Sequence, residues 1–74
     1  MIRASLVWLN YNSMGFIDVV LESLGSFLSL DFDGYELIVV DNASTDGSFE
    51  VIKKHVEEHR PSNVRVKFIR NDRN

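Results

Sequence analysis

The sequence predicts an α/β fold, the βαβαβ half of a doubly wound parallel sheet with helix layers around it, three layers in all. Three short apolar segments alternate with two segments in which apolar residues recur every three or four positions. The connections are short, so we expect parallel strands joined by right-handed crossovers. In the doubly wound arrangement the strand order is 3-2-1, and the half present here is truncated.

The first strand and the first helix follow from two different patterns. Residues 4–9, with the sequence ASLVWL, form an apolar run without helical period, which indicates a strand buried on both faces. In the turn after it, Asn12 or Ser13 can accept a hydrogen bond from the start of a helix. Residues 14–30 have the apolar spacing of an amphipathic helix, and Gly34 ends it.

The remaining elements show the same alternation of patterns. Residues 36–40, with the sequence ELIVV, predict a second strand buried on both faces. A second helix has an apolar stripe that begins at Phe49, and it ends before Pro61 because the residue before a proline avoids helical angles. In residues 63–69, Val and Phe alternate with Arg and Lys, which predicts a third strand with one exposed face.

Composition limits the class of protein. The 74 residues allow one small domain, here an incomplete one, with the hydrophobic content of a soluble globular protein. The absence of cysteine excludes disulfides and thiolate metal sites. No apolar stretch is long enough to cross a bilayer, and the first residues lack the form of a signal peptide, so we expect a cytoplasmic protein.

Charge is unevenly distributed along the chain. The net charge is −3, yet residues 60–74 carry five basic residues against Asp72 alone. A basic segment of this kind can bind nucleic acid or another anion, but it is more often one solvated face of a strand. We favour the solvated face and expect no nucleic acid partner.

Polar side chains follow the first two strands at the carboxyl ends, where doubly wound sheets bind ligands. Asn10 and Tyr11 follow the first strand, and Asp41 and Asn42 follow the second. Carboxylate and amide groups can pair with a base or ribose, and the ring of Tyr11 can stack on a base. A well-capped turn is the alternative, and the residues alone leave both interpretations of Asp41 and Asn42 equally open.

For the rest of the segment DNASTDGS we favour the capped turn. Ser44, Thr45, Asp46 and Ser48 are typical of a helix start. The carboxylate of Asp46 also suits the positive end of the helix dipole.

Other nucleotide and metal motifs are absent from the sequence. There is no Gly-x-Gly-x-x-Gly and no Gly-x-x-x-x-Gly-Lys-Ser/Thr, so we do not expect a Rossmann dehydrogenase or a P-loop enzyme. His55 and His59 are one helical turn apart, a spacing that can bind a metal ion, but no third ligand is nearby. We interpret them as a surface pair.

Three segments share the pattern of a known family: LVWLNYNS at 6–13, LESLGSFLSLDFDGYELIVVDNASTDGS at 21–48 and FIRNDRN at 68–74. They resemble the amino-terminal part of family 2 glycosyltransferases, which have the GT-A fold. Members typically have an apolar strand ending in Tyr-Asn, a Leu-rich helix and a Tyr-Glu-Ile-Ile-Val-Val-Asp-Asn/Asp-x-Ser-x-Asp segment. The resemblance covers nearly the whole chain and is closest to the rhamnosyltransferase-like branch, which often has Asn after the first Asp.

The resemblance implies that residues 1–74 are the nucleotide-sugar-binding subdomain of a glycosyltransferase. Asn10 and Tyr11 would flank the base of the nucleotide-sugar donor, and Asp41 and Asn42 would read its edge. Asn42 stands where many relatives have Asp, so UDP-sugars and dTDP-sugars both stay open as donors.

The resemblance also implies groups outside these residues. The Asp-x-Asp motif, which holds Mg²⁺ or Mn²⁺ and the donor diphosphate, is expected beyond residue 74, as is the catalytic base. We therefore expect no catalytic residue, metal ligand or cofactor in this chain, which alone would be inactive. The full-length enzyme would transfer the sugar to a hydroxyl of a sugar or lipid-linked acceptor by direct displacement, in the cytoplasm or at the inner face of the membrane.

The alternative function is a non-catalytic βαβαβ module for binding or oligomerisation. In the order 3-2-1 the first strand lacks one neighbour, and its segment SLVWL contains no charge or proline that would block pairing with another strand. We therefore expect a homodimer through this strand.

Overall fold

The structure, a computed structural model, describes residues 4–29 and 34–72 of the chain. The elements in order are β1 (Ala4–Asn10), a 3₁₀ turn (Met14–Phe16), α1 (Ile17–Leu28), β2 (Tyr35–Asn42), α2 (Ser48–His59) and β3 (Arg65–Asn71). All five predicted elements are present. The predicted end of the first helix at residue 30, the turn at 31–33 and the loop end at 73–74 lie outside the described residues.

The three strands form one parallel sheet in the order β1-β2-β3, which confirms the predicted class, pairing and strand order. The register sets the carboxyl ends of the strands side by side. Asn10 lies opposite Asp41, which in turn lies opposite Arg70. The last residues of all three strands therefore meet at one edge of the sheet.

Both helices pack on the same face of the sheet. Along β2, fully buried Leu37 and Val39 alternate with the partly buried Ile38 and Val40. The buried positions join residues of both helices in a single core. This core comprises Val20, Leu24, Leu28, Tyr35, Leu37, Val39, Ile52, Val56 and Val64.

The expectation that β1 and β2 are buried on both faces is not met, for a topological reason. Each crossover is right-handed, and each moves one strand further in the same direction across the sheet, so both helices fall on one side. Within residues 4–29 and 34–72, the chain supplies two of the three layers of the doubly wound fold: the sheet and one layer of helices.

The opposite face of the sheet is open. Val7 and Leu9 of β1 are 57% and 68% exposed, and Ile69 of β3 is 37% exposed. Arg65 and Lys67 of β3 are also exposed on this face, as expected for a solvated strand face, whereas Arg70 lies on the other face and contacts Asp41. None of the described helices is long and apolar enough to span a membrane.

Aromatic contacts attach the helices to the two outer strands. The rings of Trp8 in β1 and Phe27 in α1 meet edge to face at 5.7 Å, and those of Phe49 in α2 and Phe68 in β3 meet at 6.3 Å. The hydroxyl of Tyr35 donates to the carbonyl of Phe27 at 2.8 Å, and burial raises the pKa of Tyr35, so the phenol keeps the proton that it donates.

Candidate functional site

The four residues predicted to bind a nucleotide all lie at the carboxyl edge of the sheet, but the structure divides them into two pairs. Asn10 and Asp41 are buried at 3% and 0% exposure. Tyr11 is 52% exposed, and Asn42 is partly buried. The first pair is internal to the protein, while the second pair is wholly or partly accessible to solvent.

The carboxylate of Asp41 is the centre of a buried polar network. Its Oδ1 accepts from Asn10 Nδ2 at 2.8 Å and from Ser44 Oγ at 2.6 Å. Its Oδ2 accepts from the Ser44 backbone N–H at 3.0 Å and lies 3.6 Å from Nε of Arg70. Every oxygen of this buried acid therefore has partners, which is the condition for burying a carboxylate.

These partners decide the charge of Asp41. Burial by itself raises the pKa of the carboxyl, because it penalises the ionised form. The hydrogen bonds from Ser44 and Asn10 and the positive charge of Arg70 act in the opposite direction and prevail, so the pKa of Asp41 lies below its ordinary value. Asp41 is a carboxylate at neutral pH.

Asn10 connects the end of β1 with α2. Its amide nitrogen donates to Asp41 and to Ser48 Oγ at 3.0 Å, with a longer approach of 3.3 Å to Ser44 Oγ. Its amide oxygen accepts from the hydroxyl of Ser13. Because both ends of the amide are engaged, its orientation is fixed.

Hydrogen bonds between backbone and side-chain groups join the loop after β1 to the loop after β2. The N–H of Asn12 donates to Ser44 Oγ at 2.9 Å, and Asn12 Oδ1 accepts from the N–H of Thr45 at 2.7 Å. The N–H of Met14 donates to Asp46 Oδ2 at 2.9 Å. The two loops therefore behave as one unit, although more than 30 residues separate them in sequence.

The capping expectations are met in part. Asp46 Oδ1 accepts from the N–H of Ser48, the first residue of α2, at 2.9 Å, so the predicted role of Asp46 at the helix start is confirmed. The hydroxyls of Ser44 and Ser48 instead bind the first loop. Ser13 precedes the 3₁₀ turn without a side-chain cap: its hydroxyl donates to Asn10, and the N–H of Met14 donates to Asp46.

Three residues of these loops have left-handed backbone angles: Asn12 with φ 44°, Ala43 with φ 55° and Gly47 with φ 85°. Left-handed angles are unfavourable for residues other than glycine and, less so, asparagine. Ala43 keeps such an angle directly between Asn42 and Ser44, whose side chains belong to the site. The tight turn after β2 is thus held by the surrounding hydrogen bonds rather than by local preference.

Arg70 is a member of the site that the sequence prediction missed. Its guanidinium donates to the Ser44 carbonyl at 2.8 Å and to Glu50 Oε1 at 3.3 Å, and it lies 5.2 Å from the ring centre of Phe49. Its side chain is 43% exposed. Its place at the carboxyl end of the third strand was the signal that could have found it.

Around these groups lies an open cleft of about 310 Å³, lined by Ala43, Ser44, Thr45, Arg70, Asn71 and Asp72. On the neighbouring side, Asn42 Oδ1 accepts from Asn71 Nδ2 at 2.7 Å. The described part of this edge therefore offers amides and the guanidinium of Arg70 beside a buried carboxylate.

Comparison with known protein families shows the family to which the chain belongs. The model of the family described as Glycosyl transferase family 2 matches residues 5–74, nearly the entire chain. The chain belongs to glycosyl transferase family 2. No significant match was found among the curated proteins or among the solved structures.

The match shows the family and not a branch within it, so the rhamnosyltransferase-like branch stays a prediction. In this family 2 chain the matched residues include both loops of the site and the end of β3. The network around Asp41 is thus part of the segment that defines the family membership.

Metal-binding groups are sparse in the described part of this family 2 chain. No group of three or more His, Cys, Asp or Glu side chains comes together in residues 4–29 and 34–72. The rings of His55 and His59 stack at 4.2 Å, and Nδ1 of His59 lies 2.8 Å from the His55 carbonyl oxygen. The described residues therefore do not provide a site with three or more side-chain ligands for Mg²⁺ or Mn²⁺.

Proposed function

We propose that this chain is the donor-nucleotide-binding part of a family 2 glycosyltransferase and that it binds the nucleotide of a UDP-sugar or a dTDP-sugar. One observation supports the proposal above the others. The loops after β1 and β2 are joined at the carboxyl edge of the sheet by the Asn10–Asp41 network, which leaves Tyr11 exposed and Asn42 partly exposed. A ligand at this edge is the rule in doubly wound sheets.

In the proposed complex, Tyr11 and Asn42 make the first contacts with the nucleotide. The ring of Tyr11 stacks on the base, and the amide of Asn42 pairs with the edge of the base or with the ribose. Both uracil and thymine offer an imino N–H and carbonyl oxygens to such an amide. The two bases differ by one methyl group, so the amide of Asn42 does not distinguish them.

Asp41 has a different position in the proposed complex. Its oxygens already have four partners, of which the contact with Arg70 at 3.6 Å is the longest. A base N–H would reach Asp41 by replacing that contact, which frees Nε of Arg70 for an oxygen of the ligand while the other guanidinium nitrogens keep Ser44 and Glu50. Asn10 then keeps its hydrogen bond to the carboxylate of Asp41 from the buried side.

The enzyme that contains this chain would pass the sugar to a hydroxyl of a sugar or lipid-linked acceptor, in the cytoplasm or at the inner face of the membrane. Direct displacement at the anomeric carbon forms the new glycosidic bond and releases the nucleoside diphosphate. The Mg²⁺ or Mn²⁺ that neutralises the diphosphate would be bound by residues outside this chain. The chain alone is therefore proposed to bind donor nucleotide without transferring sugar.

Titration calorimetry with UDP and dTDP tests the proposal on the chain itself. Replacing Tyr11 or Asn42 with Ala is expected to weaken binding by about 1–3 kcal/mol each, because a ligand group loses its partner. Tyr11→Phe keeps the ring, and Asn63→Ala removes an exposed amide far from the carboxyl edge, so both controls should bind normally. Unchanged affinity in the Tyr11→Ala, Asn42→Ala double variant would show that the nucleotide binds elsewhere.

A further inference from the structure

We propose that Asn71 is a positioning residue, which holds the amide of Asn42 so that its NH₂ group, and not its carbonyl oxygen, faces the base of the nucleotide. This role rests on the proposed function and deepens it, because it fixes the chemical pattern that the bound base must have. Among the pyrimidines, uracil and thymine have that pattern and cytosine does not.

Asn42 and Asn71 are the last residues of β2 and β3, and they lie opposite each other in the register of the sheet. Successive side chains of a strand alternate between its two faces. Asp41 and Arg70 contact each other on the helix side of the sheet, so Asn42 and Asn71 project from the other face. The pair of amides is therefore separate from the buried network around Asp41.

The hydrogen bond between the two amides has a direction. Nδ2 of Asn71 donates to Oδ1 of Asn42 at 2.7 Å. The oxygen and the nitrogen of an amide point to opposite sides of Cγ, so the NH₂ group of Asn42 points away from β3. Because β2 lies between β3 and β1, this NH₂ group is directed toward the side of β1, which Tyr11 follows. In the proposed complex the base stacks on that tyrosine.

An asparagine amide by itself does not select a base. Its oxygen and its nitrogen are similar in size, so a half-turn about the Cβ–Cγ bond exchanges an acceptor for a donor at the same place. Asn71 restricts this exchange in Asn42, because a half-turn of Asn42 alone would set two NH₂ groups against each other and lose the hydrogen bond. The amide of Asn42 is therefore oriented before the ligand arrives.

A donor at this position distinguishes pyrimidines by the group on C4 of the ring. Uracil and thymine carry a carbonyl oxygen there, which accepts from an NH₂ group, whereas cytosine carries an amino group, which is itself a donor. This carbonyl is also the one farther from the ribose, on the edge of the base that side chains can reach. A site with a fixed donor rejects a ligand that brings a second donor, because both groups lose their partners.

Titration calorimetry with UDP and CDP tests the orientation of Asn42. The two ligands have the same ribose and diphosphate, so the ratio of their dissociation constants isolates the base. The parent chain should bind UDP at least about tenfold more tightly than CDP, because in the CDP complex two donors face each other in place of one hydrogen bond.

Two substitutions of the exposed Asn71 have opposite expected effects on this ratio. Asn71→Asp leaves only acceptors, so the NH₂ group of Asn42 turns toward residue 71 and its oxygen turns toward the base. The preference for UDP over CDP should then fall about tenfold or more. Asn71→Lys is the matched control, because lysine has only donors and should preserve both the orientation of Asn42 and the preference. A purely structural role of Asn71 would change the ratio in neither variant.

Failure of this role and failure of the proposed function give different results. UDP that does not bind, or that shifts backbone amides only outside residues 10–13 and 41–48 in NMR spectra, would overturn both. UDP that binds at the carboxyl edge no more tightly than CDP, or a UDP preference that survives in Asn71→Asp, would overturn the role of Asn71 and leave the nucleotide site in place.

Discussion

At the scale of single residues, Asp41 links stability and site geometry through the same four contacts. A buried carboxylate is stable only when hydrogen bonds and charges replace its lost hydration. Here Ser44 and Asn10 supply the hydrogen bonds, and Arg70 supplies the charge. The residues that hold Asp41 in place also join the loops after β1 and β2. A substitution of Asp41 should therefore alter the conformation of both loops.

The first prediction concerns the dependence of stability on pH. Because the pKa of Asp41 is lower in the folded protein than in the unfolded chain, the unfolded state takes up the proton first as the pH falls. Asp41 thus contributes its full stabilisation above about pH 4 and loses it as the pH falls further, through the lower folded pKa. The free energy of unfolding, measured by urea titration, should decrease over this interval.

Replacing Asp41 with Asn isolates this contribution. At pH 7 the variant should be less stable by about 1–3 kcal/mol, because the amide cannot accept all four contacts. The free energy of unfolding of the variant should vary less with pH than that of the parent chain. At acidic pH the free energies of unfolding of the two proteins should become similar. Asp46 leaves part of the variation in place. Burial is the largest single effect on its pKa and raises it, but the hydrogen bonds with Ser48 and Met14 together outweigh burial, so the pKa of Asp46 is lowered too.

The exposed Glu22 on α1 offers a matched acid-to-amide control. Glu22→Gln should keep the stability of the parent chain at pH 7 within about 0.5 kcal/mol, as is usual for an exposed position. A variant Asp41→Asn with the parent's profile would mean that the carboxylate of Asp41 is not held by its neighbours as described.

At the scale of secondary structure elements, the start of α2 depends on one backbone angle. Gly47, the residue before α2, has φ 85°, and an added side chain would meet no atom within 4 Å. The angle alone should therefore determine the effect of Gly47→Ala, which we expect to destabilise the fold by about 1–2 kcal/mol.

Gly25 is the matched case with the opposite sign. It lies within α1, and an added methyl group would again meet no atom within 4 Å. Gly25→Ala should stabilise the fold by about 0.5–1 kcal/mol, because alanine is the better helix former. Thermal melts of the two variants test the pair, and a fall in melting temperature for Gly25→Ala would contradict the assigned helix.

The elements were largely predictable because each has a local cause. Apolar runs and three-to-four spacing located the strands and helices, and Pro61 marked the end of α2, which extends to His59. The start of the first helix was less well predicted, since Met14–Phe16 form a 3₁₀ turn. Asp46 bonds the N–H of Met14 from the other loop, a contact between distant residues that no local pattern reveals.

The positions of the four candidate residues were predictable, but their division into a buried pair and a more exposed pair was not. Strand ends gave the positions of Asn10, Tyr11, Asp41 and Asn42, because parallel strands bring their carboxyl ends together. Which pair is buried depends on Ser44 and Ser48, whose hydroxyls turn toward the first loop. The sequence alone does not distinguish these two serines from serines that cap a helix.

At the scale of the whole molecule, the two sides of the sheet are unequal. One face carries both helices and the core, while the other exposes Val7, Leu9 and Ile69. An apolar run such as ELIVV indicates that a strand suits burial, but the direction of successive crossovers decides which face is covered. The strand order 3-2-1 with right-handed crossovers already implies that both helices share one face.

The central claim is that the carboxyl edge of this sheet binds a nucleoside diphosphate. Two-dimensional NMR of the ¹⁵N-labelled chain, titrated with UDP and with dTDP, tests it most directly. We predict saturable shifts of the backbone amides in residues 10–13 and 41–48, with smaller changes at Arg70 and Asn71 and none in the exposed part of α2. Spectra unchanged at millimolar nucleotide, or shifts centred on the open face at Val7 and Leu9, would contradict the claim.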